Sequence, residues 1–204
     1  ENKHGIHKKH FAKFLQDLIE KYKIQHVTGI SYSMGSRFNF CMLEAIPNYI
    51  RRAIFVAPDG VKIRYWNRLA TETYIGHALF SYFVHHPSAY LSLLGFLHQI
   101  KLIPAPLYAF SKWHMRDDLS RKKVYQAWMN MRNMIPDWQL IQQHVALHQI
   151  PLCAYFGQKD QVIKLSYANL LSRKLPSTEI ILVNKGHNLL DEELFDDIAN
   201  KLLN

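Results

Sequence analysis

Short apolar runs at residues 26–31, 53–56, 152–156 and 180–183 alternate with segments whose apolar residues recur at helical spacing. Apolar runs of this length, bounded by turn residues, read as buried strands. Strands that alternate with helices are joined by crossovers, which implies a parallel sheet with helices on both faces. The helical segments are roughly residues 7–22, 34–46, 162–175 and 189–203. Pro47 stops the second, and Pro58-Asp59-Gly60 closes the run at 53–56 as a turn.

The alternation breaks off in the middle. Residues 61–147 contain no good strand, and their aromatics are dense, among them Tyr65, Trp66, Tyr74, Phe80, Tyr82 and Phe83. Pro87, Pro104, Pro106 and Pro136 cut this stretch into helix-sized pieces, and 117–134 reads as one long helix. A structureless loop of this length is rare in a compact domain, so the stretch is read as an all-helical insertion. The expected organisation is a core in two parts, residues 1–60 and 149–204, interrupted by the insertion at 61–148. At 204 residues the chain has the length of one domain carrying such an insertion.

Composition narrows the function classes. No apolar run approaches the ~20 residues of a membrane-spanning helix, and residues 1–5 do not read as a secretory signal. The formal charge of +9 comes from lysines and arginines scattered along helical patterns, with small clusters at Lys8-Lys9 and Arg121-Lys122-Lys123. A nucleic-acid surface calls for a basic stripe with interleaved aromatics, and none is present. An acidic partner or an anionic membrane surface stays open. Cys41 and Cys153 fall in segments read as buried and are taken as inert core thiols, which suits a reducing cytoplasm. Histidine pairs at helical spacing, His4/His7 and His144/His148, lack a third ligand nearby, so no metal is expected.

The chemistry is carried by residues that follow strands. Ser31-Tyr32-Ser33-Met34-Gly35 sits where the run at 26–31 gives way to a helical pattern. Small residues on both sides of a serine let strand and helix backbones approach closely, so the turn lifts the Ser33 hydroxyl above the sheet edge. Asp160 ends Phe156-Gly157-Gln158-Lys159-Asp160, and His187 lies in Asn184-Lys185-Gly186-His187-Asn188. In a parallel sheet all carboxyl ends share one edge, which brings Ser33, Asp160 and His187 to the same rim. A serine hydroxyl becomes a nucleophile at neutral pH when a histidine takes its proton. A carboxylate on the other imidazole nitrogen fixes the tautomer. Two of the three have ordinary alternatives: Ser33 and Asp160 are both residues that cap helices. Asp59 also follows a strand and competes for the acid role, although its turn string favours a turn and Asp160 is preferred.

With these motifs in place the chain resembles the α/β-hydrolase superfamily. The string around Ser33 is similar to that family's Gly-x-Ser-Met-Gly, with Ser31 in place of the first glycine. Gly157-Gln158-Lys159-Asp160 is similar to its Gly-x-x-Asp, and Gly186-His187 to its Gly-His before the final helix. The resemblance spans essentially the whole chain and places the helical insertion where the family carries its cap. It implies an α/β fold, a parallel-sheet hydrolase core with an inserted helical cap, in which the present chain supplies the C-terminal portion. It further implies a serine hydrolase acting on a small acyl compound, a carboxylic ester first, without a cofactor. The nucleophile is then Ser33, the base His187 and the acid Asp160. The Met34 backbone N–H is an oxyanion donor, and Tyr32 belongs to the substrate site. The family's earlier strands and its second oxyanion segment have no counterpart in this sequence. The run at 26–31 is therefore expected to be a sheet edge, covered by a preceding segment of a longer protein or by a second copy. The rival reading is a hydrolase-like binding protein or an inactive fragment, without turnover.

Overall fold

A computed structural model describes residues 5–62 and 65–203, and within these the side chains of all but residues 65–67. His4, and the side chains of Tyr65 and Trp66 singled out above, lie outside the described residues. In chain order the elements are α1 (Lys8–Tyr22), β1 (Val27–Tyr32), a single 3-10 turn (Ser33–Gly35), α2 (Ser36–Ala45), a second 3-10 turn (Pro47–Tyr49) and β2 (Ile50–Val56). Five helices follow: α3 (Tyr65–Glu72), α4 (Tyr74–His85), α5 (Pro87–Gln99), α6 (Ala105–His114) and α7 (Asp118–Met131). The chain closes with α8 (Trp138–Leu147), β3 (Leu152–Gly157), α9 (Ser166–Lys174), β4 (Thr178–Val183) and α10 (Glu192–Leu203). The chain divides into two units, one of residues 8–62 and 134–204, the other of residues 1–7 and 63–133.

The first unit is built on a four-stranded sheet of order β1-β2-β3-β4, parallel throughout. Every residue of β3 is buried, as befits an inner strand covered on both faces. Alternation along the strands sends neighbouring side chains to opposite faces. Phe55 of β2 stacks on Phe40 of α2 with ring centroids 4.4 Å apart. Tyr155 of β3 points the other way, and its hydroxyl donates to the Asp197 carboxylate of α10 at 2.6 Å. Burial and this bond push the Tyr155 phenol well above its usual range, so it remains a donor. β1 is an edge strand, and Ile30 on it is exposed.

Element ends follow local chemistry. α1 stops at Lys23, which takes a left-handed φ of 50° and lets the Ile24 N–H donate back to the Ile19 carbonyl at 3.0 Å. The segment at 162–175 becomes helical only from Ser166, because the Asp160 carboxylate takes the N–H groups of Val162 and Ile163 in a turn. α10 likewise begins later than the periodicity indicates, after Asp191 accepts from the Leu194 N–H at 3.1 Å. α8 belongs with the sheet and not with the insertion: Ile141 and Val145 lie in its core, and the His144 ring bonds the Leu43 carbonyl of α2 at 3.1 Å. The division drawn at 148/149 from sequence thus differs from the packing, because α8 presents an apolar face that α2 covers. Cys41 and Cys153 are both buried free thiols, and desolvation pushes them to about 12 and about 11.

Among its described residues the second unit has helices and no strand. Its helices start at side-chain caps as well as prolines: Thr73 accepts from the Gly76 N–H at 3.0 Å and Asp117 from the Ser120 N–H at 2.7 Å. Phe80 of α4 packs against Tyr125 and Trp128 of α7, and the His77 ring bonds the Tyr125 hydroxyl at 2.7 Å.

Candidate active site

β1, β3 and β4 run in parallel, so the segments leaving Tyr32, Gly157 and Val183 emerge at one edge of the sheet. Ser33 leaves β1 in the left-handed region, with φ of 49°. Such a conformation costs a non-glycine residue about 1–3 kcal/mol, and it persists only where the surroundings hold it. Here the Asp59 N–H, from the turn after β2, donates to the Ser33 carbonyl at 3.0 Å. The Ser33 hydroxyl is not at the cap position of the 3-10 turn, which falls on Tyr32. Ser33 Oγ lies 3.1 Å from His187 Nε2.

The second imidazole nitrogen, His187 Nδ1, lies 2.8 Å from Asp160 Oδ2. An ionised carboxylate only accepts, so Nδ1 carries the proton and Nε2 faces Ser33 with its lone pair. The Asp160 side chain is 0% exposed and that of His187 13%. Asp160 divides its oxygens: Oδ1 accepts from the Val162 and Ile163 N–H groups at 2.7 and 2.8 Å, while Oδ2 serves the histidine. Capping and histidine orientation therefore coexist in one carboxylate. The two loops lie very close. The Lys159 N–H donates to the Lys185 carbonyl at 3.0 Å, and a Cβ added to Gly157 would sit 2.6 Å from that same oxygen. Only glycine allows this approach.

Tyr32 lies beside this row. Its hydroxyl donates to the His187 carbonyl at 2.9 Å, and the two rings are 5.5 Å apart. Burial, then the charge of Asp160, raises the phenol above its ordinary value, which keeps it a donor. Met34 occupies the 3-10 turn that leads into α2, where the first backbone N–H groups have no partner within the helix. Asp59, the competitor for the acid role, is engaged elsewhere: its carboxylate pairs with Arg37 Nε at 2.7 Å, and that arginine is 4% exposed.

A polar cluster beneath the turn was not anticipated. Asn39, buried on α2, places its amide nitrogen 3.1 Å from the Gly29 carbonyl, 3.0 Å from Ser31 Oγ and 3.2 Å from the Ile54 carbonyl. Ser31 Oγ is also 3.3 Å from Ser36 Oγ. The hydroxyl that replaces the expected glycine is thus hydrogen-bonded, which removes the cost of burying it. A Cβ on Gly29 would meet the Asn39 side chain, so the strand fits around this amide. The signal was a lone asparagine within Phe38-Asn39-Phe40, an apolar stretch where an unpaired amide is costly. A cavity of about 220 Å³, lined by Thr28, Arg51, Arg52, Pro151 and Leu202, opens at the amino ends of the strands, the edge opposite Ser33. Among the described residues no group of three or more histidines, cysteines or carboxylates is placed to hold a metal ion.

Comparison with known proteins bears on this arrangement. No curated protein sequence matches the chain. Among solved structures, a thermophilic esterase from Thermogutta terrifontis superposes with a TM-score of 0.61 at 12% identity, over 98% of this chain and 72% of that one. A carboxylesterase structure from the thaumarchaeon Nitrososphaera gargenis gives 0.59 at 16% identity, over 99% and 74%. A hydrolase from Pseudomonas aeruginosa gives 0.58 at 12% identity, over 98% and 72%. At these identities the likeness is one of fold. The model of the alpha/beta hydrolase fold family matches residues 1–194, and the chain belongs to that family.

Proposed function

We propose that the chain is a serine hydrolase that cleaves a small acyl compound, a carboxylic ester in the first instance, through an acyl-enzyme. The observation that carries this reading is the unbroken hydrogen-bonded row from Ser33 Oγ to His187 Nε2, and from His187 Nδ1 to Asp160 Oδ2. In the proposed reaction Ser33 Oγ attacks the acyl carbonyl as its proton passes to His187 Nε2. The Asp160 carboxylate stabilises the imidazolium. The Met34 N–H donates to the developing oxyanion, the kind of interaction whose loss costs roughly a hundred- to a thousandfold in rate. His187 then protonates the leaving alkoxide, which departs and leaves Ser33 acylated. Water, deprotonated by His187, attacks the ester so formed and releases the acid and free Ser33. Tyr32 borders the substrate and, through its bond to the His187 carbonyl, steadies the imidazole. A left-handed serine held by the Asp59 N–H supports the nucleophile assignment, since strain of this kind gathers at reacting groups. Two free thiols suit a reducing cytoplasm as the place of action.

The test is the intact mass of the protein after exposure to a fluorophosphonate, with wild type and Ser33→Ala side by side. One adduct in the wild type and none in the variant is expected. A folded wild type that takes up no adduct, or a variant that still does, would remove Ser33 from the nucleophile role.

A further inference from the structure

The outward face of α4 is apolar. Its exposed positions are Tyr74, Ile75, Ala78, Leu79, Tyr82 and, in the last turn, His85, which fall on one side of a helix. Tyr74 is 89% exposed and Ile75 78%. The other side packs on α7, with Val84 buried, Phe80 against Tyr125 and Trp128, and His77 bonded to the Tyr125 hydroxyl. A helix that packs one side on a neighbour and still presents large apolar residues on the other calls for a further covering surface. The same character continues along the chain: Leu93, Phe96 and Ile100 are exposed at and just past α5, then Leu102, and Trp113 on α6. α4 packs on α5 and α5 on α6, and a concentration of exposed apolar side chains on neighbouring helices marks an interaction surface.

The charges among these residues identify the partner. From Thr73 to Arg116 there is no aspartate or glutamate, and the charged side chains are Lys101, Lys112 and Arg116. Lys101 and Lys112 are exposed. Arg116 lies over the Trp113 ring at 4.2 Å and pairs with Asp117. Apolar side chains interspersed with tyrosine and tryptophan, with Lys101 and Lys112 among them and the acidic residues Glu72 and Asp117 only at the two ends of the stretch, match the interfacial zone of a bilayer, where aromatic rings sit at the headgroups and lysines meet lipid phosphates. We propose that the exposed face of α4, α5 and α6 docks on the surface of a bilayer carrying anionic phospholipid. The contact lies on the surface: no described helix is long and apolar enough to cross a membrane. The proposal rests on the helical unit alone and stands or falls independently of the hydrolase reading.

Vesicle co-sedimentation of the full chain tests it. The probes are vesicles of phosphatidylcholine and phosphatidylglycerol at about 3:1, and vesicles of phosphatidylcholine alone. Wild type is expected to sediment with the anionic vesicles and more weakly with the neutral ones, and added salt is expected to weaken the difference. Ile75→Glu/Leu79→Glu is expected to lower partitioning at least about tenfold, since burying one such side chain is worth that much. Lys101→Glu/Lys112→Glu is expected to lower binding to the anionic vesicles about tenfold or more and to leave the neutral vesicles little changed. Both variants change exposed positions, and circular dichroism establishes that they fold. As a check needing no altered fold, brominated lipid should quench tryptophan emission in the wild type and less so in Trp113→Phe. Wild type that stays in the supernatant with both vesicles overturns the proposal, as does binding that neither double variant reduces. Light scattering that reveals a dimer dissolved by Ile75→Glu/Leu79→Glu, without vesicle binding, would assign the face to a second copy instead.

Discussion

β3 buries all of its residues from Leu152 to Gly157, whereas α4, of comparable apolar content, turns Tyr74, Ile75, Leu79 and Tyr82 outward. In the sheet unit apolar side chains are packed and most polar ones among them are tied down: Asp160, Arg37, Tyr155 and the Asn39 amide nitrogen have named partners, while the Asn39 Oδ1 and the Thr178 hydroxyl are buried without one among the described residues. In the helical unit the caps and a few ring contacts define the helices, but much of their apolar surface faces outward. The same kind of residue is thus core in one unit and contact surface in the other. Neighbours make the difference. A central parallel strand is covered on both faces, while a helix in a small bundle covers only part of its circumference.

This contrast can be broken by substitution, and the largest effect is expected at the rim of the sheet. Asp160→Asn keeps an oxygen for the Val162 and Ile163 N–H groups but turns an amide toward His187 Nδ1. That change favours the wrong imidazole tautomer. Turnover of an activated ester should fall about ten-thousandfold with little loss of stability. A variant that retains wild-type turnover would exclude Asp160 as the orienting acid.

A matched pair sharpens the comparison between units. Leu171→Ala, at a fully buried site on α9, should cost about 2–5 kcal/mol in urea unfolding. Leu79→Ala, on the exposed face of α4, should stay within about 0.5 kcal/mol. Equal losses would mean that α4 is covered in solution and that the contrast drawn above is wrong.

Smaller still is the expected effect of Tyr32→Phe, which removes the hydroxyl bonded to the His187 carbonyl and keeps the ring. One neutral hydrogen bond is worth about 0.5–1.5 kcal/mol. If that bond positions the imidazole, kcat should drop several-fold with KM nearly unchanged. A change confined to KM would place Tyr32 on the substrate side only.

The least effect is expected from the buried thiols. Their folded values, about 12 for Cys41 and about 11 for Cys153, lie above the ordinary 9.0 because burial disfavours the thiolate. Between pH 9 and those values the unfolded chain loses protons that the folded one keeps, so stability falls as pH rises. Below pH 9 the two states are protonated alike, and the thiols contribute no slope. Cys41→Ala should flatten the alkaline decline of the melting temperature, and native protein at neutral pH should resist a disulfide exchange reagent until unfolded.

Much of the site was legible because its residues obey local rules. A small-residue turn after an apolar run, and carboxylate and histidine after two later runs, are sufficient to place Ser33, Asp160 and His187 at one sheet edge, since parallel strands share their carboxyl ends. The competition between Asp59 and Asp160 was not decided by sequence, as both follow strands. Tertiary packing separates them: Arg37 reaches Asp59 from α2, and the close approach of the loops around Gly157 and Lys185 brings Asp160 to the imidazole. Nor was the start of α9 legible, because a carboxylate that captures two N–H groups delays the helix in a way periodicity does not register.

The sequence by itself determined the α/β alternation, the helical nature of the middle and the three residues of the row, all of which follow from period, turn chemistry and strand direction. Only the tertiary structure decided that α8 packs with the sheet, that Ser31 is accommodated by Asn39, that Tyr32 holds the His187 backbone and that α4 wears apolar residues outside. The physical reason is range. Hydrophobic periodicity records what a segment prefers along its own length, whereas hydrogen-bond partners and burial are set by segments distant in the chain.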